Sequence, residues 1–148
     1  MIKKILASYD SVVKLMLAWC APIVLLAVRI IPAMAFFKSG ITKIQSWDTT
    51  LYLFEEEYQV PFLPFELAAY TATAAELILP PILLFGLFTR LSSGALFLFN
   101  IVAVVSYPII WASGFYDHQL WAIMLLVSVI WGPGKLSVDH LLRARCVK

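Results

Sequence analysis

Four apolar segments, separated by short polar stretches, make up most of the chain. They comprise residues 15–37, 65–88, 91–111 and 118–131. About twenty apolar residues in a helix cross the ~30 Å hydrocarbon core of a bilayer, and the first three segments reach that length. The pattern predicts an all-α fold, in which four transmembrane helices form an integral membrane bundle as a single domain over residues 1–148.

The long connection at residues 38–64 has a helical pattern of its own. Apolar side chains recur there at steps of three and four, at Ile41, Ile44, Trp47, Leu51, Phe54 and Tyr58. This spacing predicts an amphipathic helix on the outer membrane surface between helices 1 and 2. A weaker pattern at residues 2–14 favours a short interfacial helix, and residues 132–148 are predicted to form a cytoplasmic tail.

Composition supports a lipid environment. Hydrophobic residues make up 62% of the chain and charged residues 14%, whereas soluble domains have about 45–50% and about 25%. The net charge of +2 and the lack of a basic stripe argue against nucleic acid as a partner. The two cysteines, Cys20 and Cys146, form no C-x-x-C motif, so a thiol relay within the chain is not expected.

The distribution of lysine and arginine predicts the orientation in the membrane. With the N-terminus inside, two basic residues, Lys38 and Lys43, fall in outer segments. The inner segments contain Lys3, Lys4, Lys14, Arg90, Lys135, Arg143, Arg145 and Lys148. Because cytoplasmic loops are enriched in Lys and Arg, we expect both termini on the cytoplasmic side of the membrane.

Several short motifs resemble those of the DoxX family. They are Arg29 with residues 36–44 (FFKSGITKI), residues 74–77 (AAEL), residues 86–90 (GLFTR) and residues 132–139 (GPGKLSVD). The resemblance covers roughly residues 25–142, and it implies a four-helix protein of the bacterial inner membrane. Some members are described as small subunits of thiosulfate:quinone oxidoreductases, and others as membrane partners of oxidoreductases or detoxifying enzymes.

Three functions are compatible with these observations. The first is a membrane subunit that supports a redox or stress and detoxification system without a self-contained active site. The alternatives are a quinone-reactive oxidoreductase component, with a quinone as the candidate cofactor, and a small transporter or channel that works as an oligomer. Whether the chain is an enzyme stays open. The expected partners are the lipid bilayer, other membrane or periplasmic proteins and a second copy of the chain.

Charged residues inside the apolar segments are the first candidates for a site. A charge at the bilayer centre costs about 2.5–3.5 kcal/mol, so Arg29 and Glu76 need a reason to be there. Counting residues from the predicted span ends places them within about 10 Å of each other in depth. We therefore predict a buried Arg29–Glu76 ion pair, which either fixes helix register or forms a polar pocket. Asn100 is expected to hydrogen-bond another helix.

A second candidate group lies where the predicted helices end at the outer rim. Its members are Lys38, Lys43, Tyr107, Asp117 and His118, with Glu66 and Trp111 nearby. A histidine can transfer protons near neutral pH, and aromatic rings can stack on a planar ligand, but such residues also anchor helices at membrane boundaries. No metal site is predicted, because the two histidines fall on opposite sides of the membrane.

Overall fold

The computed structural model describes residues 2–146, and every regular element in this range is a helix. The seven helices are α1 (Ile2–Gln45), α2 (Trp47–Glu56), α3 (Phe65–Phe85), α4 (Thr89–Ser106), α5 (Ile109–Ala112), α6 (Phe115–Trp131) and α7 (Val138–Cys146).

The long helices form the predicted bundle. Helix α1 packs against α3 and α6, and α4 packs against the same two helices from the other side. By length and composition α1, α3 and α4 can each cross a membrane, and α6 is apolar but shorter at 17 residues. The connection between α3 and α4 is only residues 86–88, so these two helices are antiparallel neighbours. The all-α membrane bundle expected from the sequence is confirmed.

Helix α1 is longer at both ends than the predicted first span. It runs through Pro22 and Pro32 without a break over 44 residues. Residues 2–14 therefore continue into α1 instead of forming a separate interfacial helix, and residues 38–45 belong to α1 instead of the connection. Prolines are tolerated inside membrane helices when neighbouring groups satisfy the freed carbonyls.

The predicted third span is divided. Helix α4 ends at Ser106, and Tyr107 is extended before the short helix α5 begins. Pro108 explains the break, because the residue before a proline is disfavoured in the α conformation and proline has no N–H to donate.

Only the second part of α1 belongs to the bundle. Side chains at residues 2–20 are exposed apart from the half-buried Val13, whereas Arg29, Ala33, Phe36 and Gly40 are buried. Gly40 lies beside Glu76, and Arg29 lies beside Gly86, so α1 and α3 are antiparallel. The bundle thus has two ends, which we call the α2 end and the α7 end after the helices that cover them.

A fully apolar cluster fills the bundle near the α7 end. Ala33, Phe36, Leu83, Leu96 and Leu125 come from all four long helices and are at most 3% exposed. The backbones of α1 and α3 approach closely, since a Cβ at Gly40 would lie 3.0 Å from the Cβ of Glu76. Small residues commonly permit such contacts between membrane helices.

Helix α2 is the amphipathic helix predicted between the first two spans. Its Phe54 packs with Ala68 and Ala69 of α3, and Trp47 and Leu51 border the same cluster. Glu55 and Glu56 are exposed on its other face. Burial of one face fixes α2 across the end of the bundle, directly above the cavity described next.

Candidate functional site

A cavity of about 550 Å³ lies inside the bundle on the side of the α2 end. We call it the chamber. Helices α1, α3, α4 and α6 supply its walls, and Phe54, Tyr58, Val60 and Leu63 cover it from α2 and the segment that follows. Volumes of 300–1,000 Å³ with mainly apolar walls are typical of small-molecule sites.

The deep wall of the chamber is aromatic. Phe36 of α1 meets Phe99 of α4 edge to face, with ring centroids 5.8 Å apart. It meets Trp121 of α6 in the same way at 5.5 Å. Edge-to-face contacts of this kind hold rings in fixed positions, so the chamber presents a rigid apolar floor to any occupant.

A closed triangle of polar groups interrupts the apolar wall. The Lys43 ammonium donates to Glu76 Oε2 at 2.6 Å and to Ser39 Oγ at 2.8 Å. Ser39 Oγ in turn donates to Glu76 Oε1 at 3.2 Å. The Lys43 and Glu76 side chains are only 13% and 6% exposed, so this ion pair is nearly desolvated. All three residues line the chamber.

A second polar pair lies on the opposite wall. His118 Nδ1 is 2.7 Å from Asn100 Oδ1, and the Asn100 amide nitrogen donates to the His118 carbonyl oxygen at 3.0 Å. Because the amide oxygen only accepts, the ring hydrogen belongs on Nδ1, and Nε2 keeps its lone pair. Asn100 therefore links α4 to α6, and it also fixes the tautomer of a histidine that lines the chamber.

Residues 57–64, which we call the strap, close the chamber at the α2 end. Tyr58 stacks between Phe54 and Tyr107, with centroid distances of 4.4 and 4.3 Å. The Tyr107 hydroxyl donates to Glu57 Oε2 at 3.0 Å, and the Gln59 N–H donates to the Ser106 carbonyl at 2.7 Å. Burial raises the pKa of Tyr58 to about 12, so its hydroxyl stays protonated at neutral pH.

Ser106 brings an unused polar atom to the chamber wall. Its side chain is 1% exposed, and its Oγ has no hydrogen-bond partner among residues 2–146. Buried hydroxyls are normally paired, because desolvation without a partner costs about 1–3 kcal/mol. A ligand with a polar group could satisfy this hydroxyl from inside the chamber.

The predicted Arg29–Glu76 ion pair is wrong. Glu76 pairs with Lys43, whereas Arg29 donates to the carbonyl oxygens of Leu25 and Leu136. Gly40 is the α1 neighbour of Glu76, and it lies eleven residues from Arg29, or roughly 16 Å along the helix. The depth count failed because it began the first span at residue 15, whereas the bundle begins further along α1.

Arg29 instead belongs to a structural cluster at the α7 end, which we call the clasp. It contains Arg29, Gly86, Thr89, Leu136 and Asp139. Asp139 accepts hydrogen bonds from the Phe88 and Thr89 N–H groups at 2.9 and 2.8 Å, and its own N–H donates to the Gly86 carbonyl at 2.9 Å. Partial burial opposes ionisation of Asp139, but the bonds from Thr89 and Phe88 outweigh it and lower the pKa.

The rim residues predicted from the sequence divide into two groups. Lys43, Tyr107 and His118 line the chamber. Lys38 and Asp117 are exposed and lie outside its walls. The two other residues noted near the rim, Glu66 and Trp111, are exposed as well.

Sequence reasoning missed Ser39, Phe36 and Tyr58. Phe36, Ser39 and Lys43 lie three and four residues apart, so they share one helix face. Extending the first helix past residue 37 would have revealed this face. Within residues 2–146 no three potential metal ligands come together.

The fold and the chamber define a multi-pass membrane protein with a cavity of small-molecule size. The DoxX family model matches residues 24–108. A Haemophilus influenzae protein, described as an uncharacterized protein, is 32% identical over 130 residues, which cover 80% of this chain and 83% of the relative. The chain therefore belongs to the DoxX family. No solved structure shows significant similarity to it.

Proposed function

We propose that the chain binds a lipophilic molecule with a planar polar head, such as a quinone, in the chamber and thereby supports a membrane redox or detoxification system. The observation behind this proposal is the Lys43–Glu76–Ser39 triangle, in which the ion pair lies almost desolvated in the wall of a mainly apolar cavity. A carbonyl oxygen of a planar head would accept a hydrogen bond from Lys43, and a hydroxyl group would donate one to Glu76.

The chamber suits a flat ring for a second reason. Phe36, Phe99 and Trp121 give it an aromatic floor, and Tyr58 lies at its cover. Aromatic faces and edges bind planar rings at little entropic cost, because each side chain is already held by its neighbours. His118 and Ser106 add two polar atoms on the opposite wall.

The orientation that we propose places the α7 end in the cytoplasm of a bacterium, with the protein in the inner membrane. The basic residues of α7, Arg143 and Arg145, together with Arg90 and Lys135, then lie inside. This arrangement follows the positive-inside rule, and it places the chamber near the outer face. A redox partner or a second copy of the chain would complete the system.

Binding is better supported than transport. The apolar cluster of Ala33, Leu83, Leu96 and Leu125 separates the chamber from the α7 end. A solute path through one protomer would have to cross this close-packed region. The channel hypothesis from the sequence therefore needs a path between protomers.

Fluorescence titration of the purified protein with short-chain ubiquinone and menaquinone analogues tests the proposal. Trp121 is the tryptophan that lines the chamber, so we expect saturable quenching that is strongly reduced in Trp121→Phe. Extraction of native membranes followed by mass spectrometry should recover a quinone with the wild type. If neither quenching nor a co-purified lipophilic ring compound is found, the proposed function is wrong.

Variants of the triangle separate a binding role from a structural one. Lys43→Met alone leaves the Glu76 carboxylate buried without a partner, which destabilises a fold by about 3–5 kcal/mol. The double variant Lys43→Met/Glu76→Gln removes both charges and should restore stability while binding stays at least tenfold weaker. Lys38→Met, on an exposed position of the same helix, is the matched control and should bind as wild type.

A further inference from the structure

A second, smaller cavity of about 260 Å³ lies beside the chamber at the α2 end. We call it the vestibule. Hydroxyl groups form part of its otherwise mainly apolar wall. They come from Ser39, Thr42, Ser46, Thr49, Thr50 and Tyr58. Three of these residues, Thr42, Ser46 and Thr49, are exposed, so the vestibule is open to water at the α2 end.

The ion pair lies between the two cavities. Ser39 and Lys43 line both the vestibule and the chamber, whereas Glu76 lines the chamber alone. Phe54 and Tyr58 complete the shared wall. Each hydrogen bond within the triangle is at most 3.2 Å long. The triangle thus forms a continuous set of proton carriers between the solvent-exposed vestibule and the chamber.

We propose that the vestibule and the Lys43–Glu76 pair exchange protons between the chamber and the aqueous phase at the α2 end. This inference rests on the proposed function only for the identity of the ligand, which would be a ring compound with an acidic hydroxyl. The ligand O–H gives its proton to the Glu76 carboxylate, and the Lys43 ammonium releases one proton to vestibule water. The resulting carboxylic acid then protonates the Lys43 amine, directly or through Ser39.

The sum of these steps moves one proton from the chamber to the vestibule and regenerates the ion pair. Other titratable groups face the pair from neighbouring elements. They are Tyr58 on the strap, Tyr107 directly after α4 and His118 on α6. Tyr107 is hydrogen-bonded to Glu57 and His118 to Asn100, so neither bonds to the triangle.

The opposite direction is closed to protons by the apolar cluster. Leu83, Leu96 and Leu125 are 0% exposed, and together with Ala33 they fill the bundle between the chamber and the α7 end. Neither aliphatic side chains nor the space between them can donate or accept a proton. Exchange is therefore one-sided, and its side is the α2 end.

A thiol placed next to the triangle can report which side sets the local pH. Maleimides react with the thiolate, so the alkylation rate rises about tenfold per pH unit below the thiol pKa. We would introduce Ser39→Cys or Ala75→Cys into a Cys20→Ala/Cys146→Ala background, reconstitute each variant into vesicles and alkylate with membrane-permeant N-ethylmaleimide. The pH would be changed on one side at a time.

We expect alkylation of both thiols to follow the pH at the α2 end, with a rise of about tenfold per unit. A change at the α7 end should leave both rates unchanged. A separate Cys20→Ala protein, which keeps native Cys146 exposed on α7, serves as the reference for the other side. Filling the vestibule with Thr49→Leu should slow the Ser39→Cys reaction several-fold, whereas Lys38→Met should have no effect.

Three results would overturn the inference: rates that follow the pH at the α7 end, rates that follow neither side, or an unchanged Ser39→Cys rate in Thr49→Leu. The measurement contains no ligand, so its outcome is independent of the quinone titration. Absence of quinone binding with one-sided proton exchange would contradict the proposed function alone. Quinone binding without one-sided exchange would contradict this inference alone.

Discussion

Helix α1 buries two cationic side chains, and their surroundings differ completely. Arg29 is 0% exposed at the α7 end, where backbone carbonyls of Leu25 and Leu136 accept from it. Lys43 lies near the α2 end, where a carboxylate and a hydroxyl accept from it. The clasp around Arg29 is close-packed, and Gly86 leaves no room for a Cβ beside the guanidinium. Lys43 faces two cavities.

This contrast separates a buried charge that can only stabilise the fold from one that also adjoins a cavity. A cation that is surrounded by carbonyls and filled space can stabilise a junction but cannot reach a ligand. A cation that is paired with a titratable partner beside a cavity can do both. Burial alone therefore does not show whether a charged side chain can contact a ligand. The presence of a cavity beside the charge is also needed.

Loss of the Arg29 side chain should have the largest effect on stability. Arg29→Ala removes the two hydrogen bonds that the guanidinium donates and leaves a cavity in the clasp. The expected cost is about 3–5 kcal/mol. SDS titration of the protein in mixed micelles would measure the free energy of unfolding. Arg90→Ala, whose guanidinium is exposed, should cost under about 1 kcal/mol. Quinone affinity at the unperturbed chamber should not change in Arg29→Ala, and a tenfold loss would contradict the comparison.

Adding a side chain inside the clasp should cause the second-largest loss of stability. Gly86 has φ +67°, and a Cβ there would lie 1.9 Å from Arg29 Nη1. Gly86→Ala combines left-handed strain of about 1–2 kcal/mol with displacement of the guanidinium, for a total of about 2–4 kcal/mol. Gly114 has φ +102° and open space around it, so Gly114→Ala measures the strain alone. Equal losses in the two variants would show that the clasp is not close-packed.

Removal of the Asp139 charge should have a smaller, pH-dependent effect. Since its pKa is depressed in the folded protein, the stabilisation is present above the unfolded value of about 3.9 and is lost as pH falls through the folded value. Asp139→Asn should cost about 1 kcal/mol at neutral pH, as expected for loss of a helix cap, and should weaken the acid dependence of unfolding. Melting temperatures measured from pH 7 to pH 3 test both parts, with the exposed Asp117→Asn as control.

Loosening the strap at the α2 end should have the smallest effect. Tyr107→Phe keeps the aromatic stack with Tyr58 and loses one hydrogen bond to Glu57, so we expect a cost of about 0.5–1.5 kcal/mol. Proteolysis of residues 57–64 should become about twofold to tenfold faster, which corresponds to this free-energy cost. Tyr116→Phe, on a side chain that is 83% exposed, should behave as wild type. Unchanged proteolysis in Tyr107→Phe would show that stacking and the Gln59 bond suffice.

The comparison of the two ends also shows where sequence reasoning failed. Both Arg29 and Glu76 were identified as costly charges, but they were paired with each other. Lys43 was assigned to an outer loop, because the first span was taken to end at residue 37. Helix α1 continues to Gln45, and only then does the face with Phe36, Ser39 and Lys43 become visible. The position of this one helix boundary therefore decides the partners of Arg29, Lys43 and Glu76.

The amino-acid sequence by itself determined the class of protein, the number of long helices and the amphipathic helix across one end. These features follow from the helical spacing of apolar residues and from the cost of exposing apolar surface to water. Both can be read from the sequence. Only the tertiary structure decided the pairing of Lys43 with Glu76, the attachment of Arg29 to residues after α6 and the presence of the chamber. These contacts depend on how far each helix is displaced along its axis relative to its neighbours. A shift of one turn, about 5.4 Å, would place different residues opposite each other.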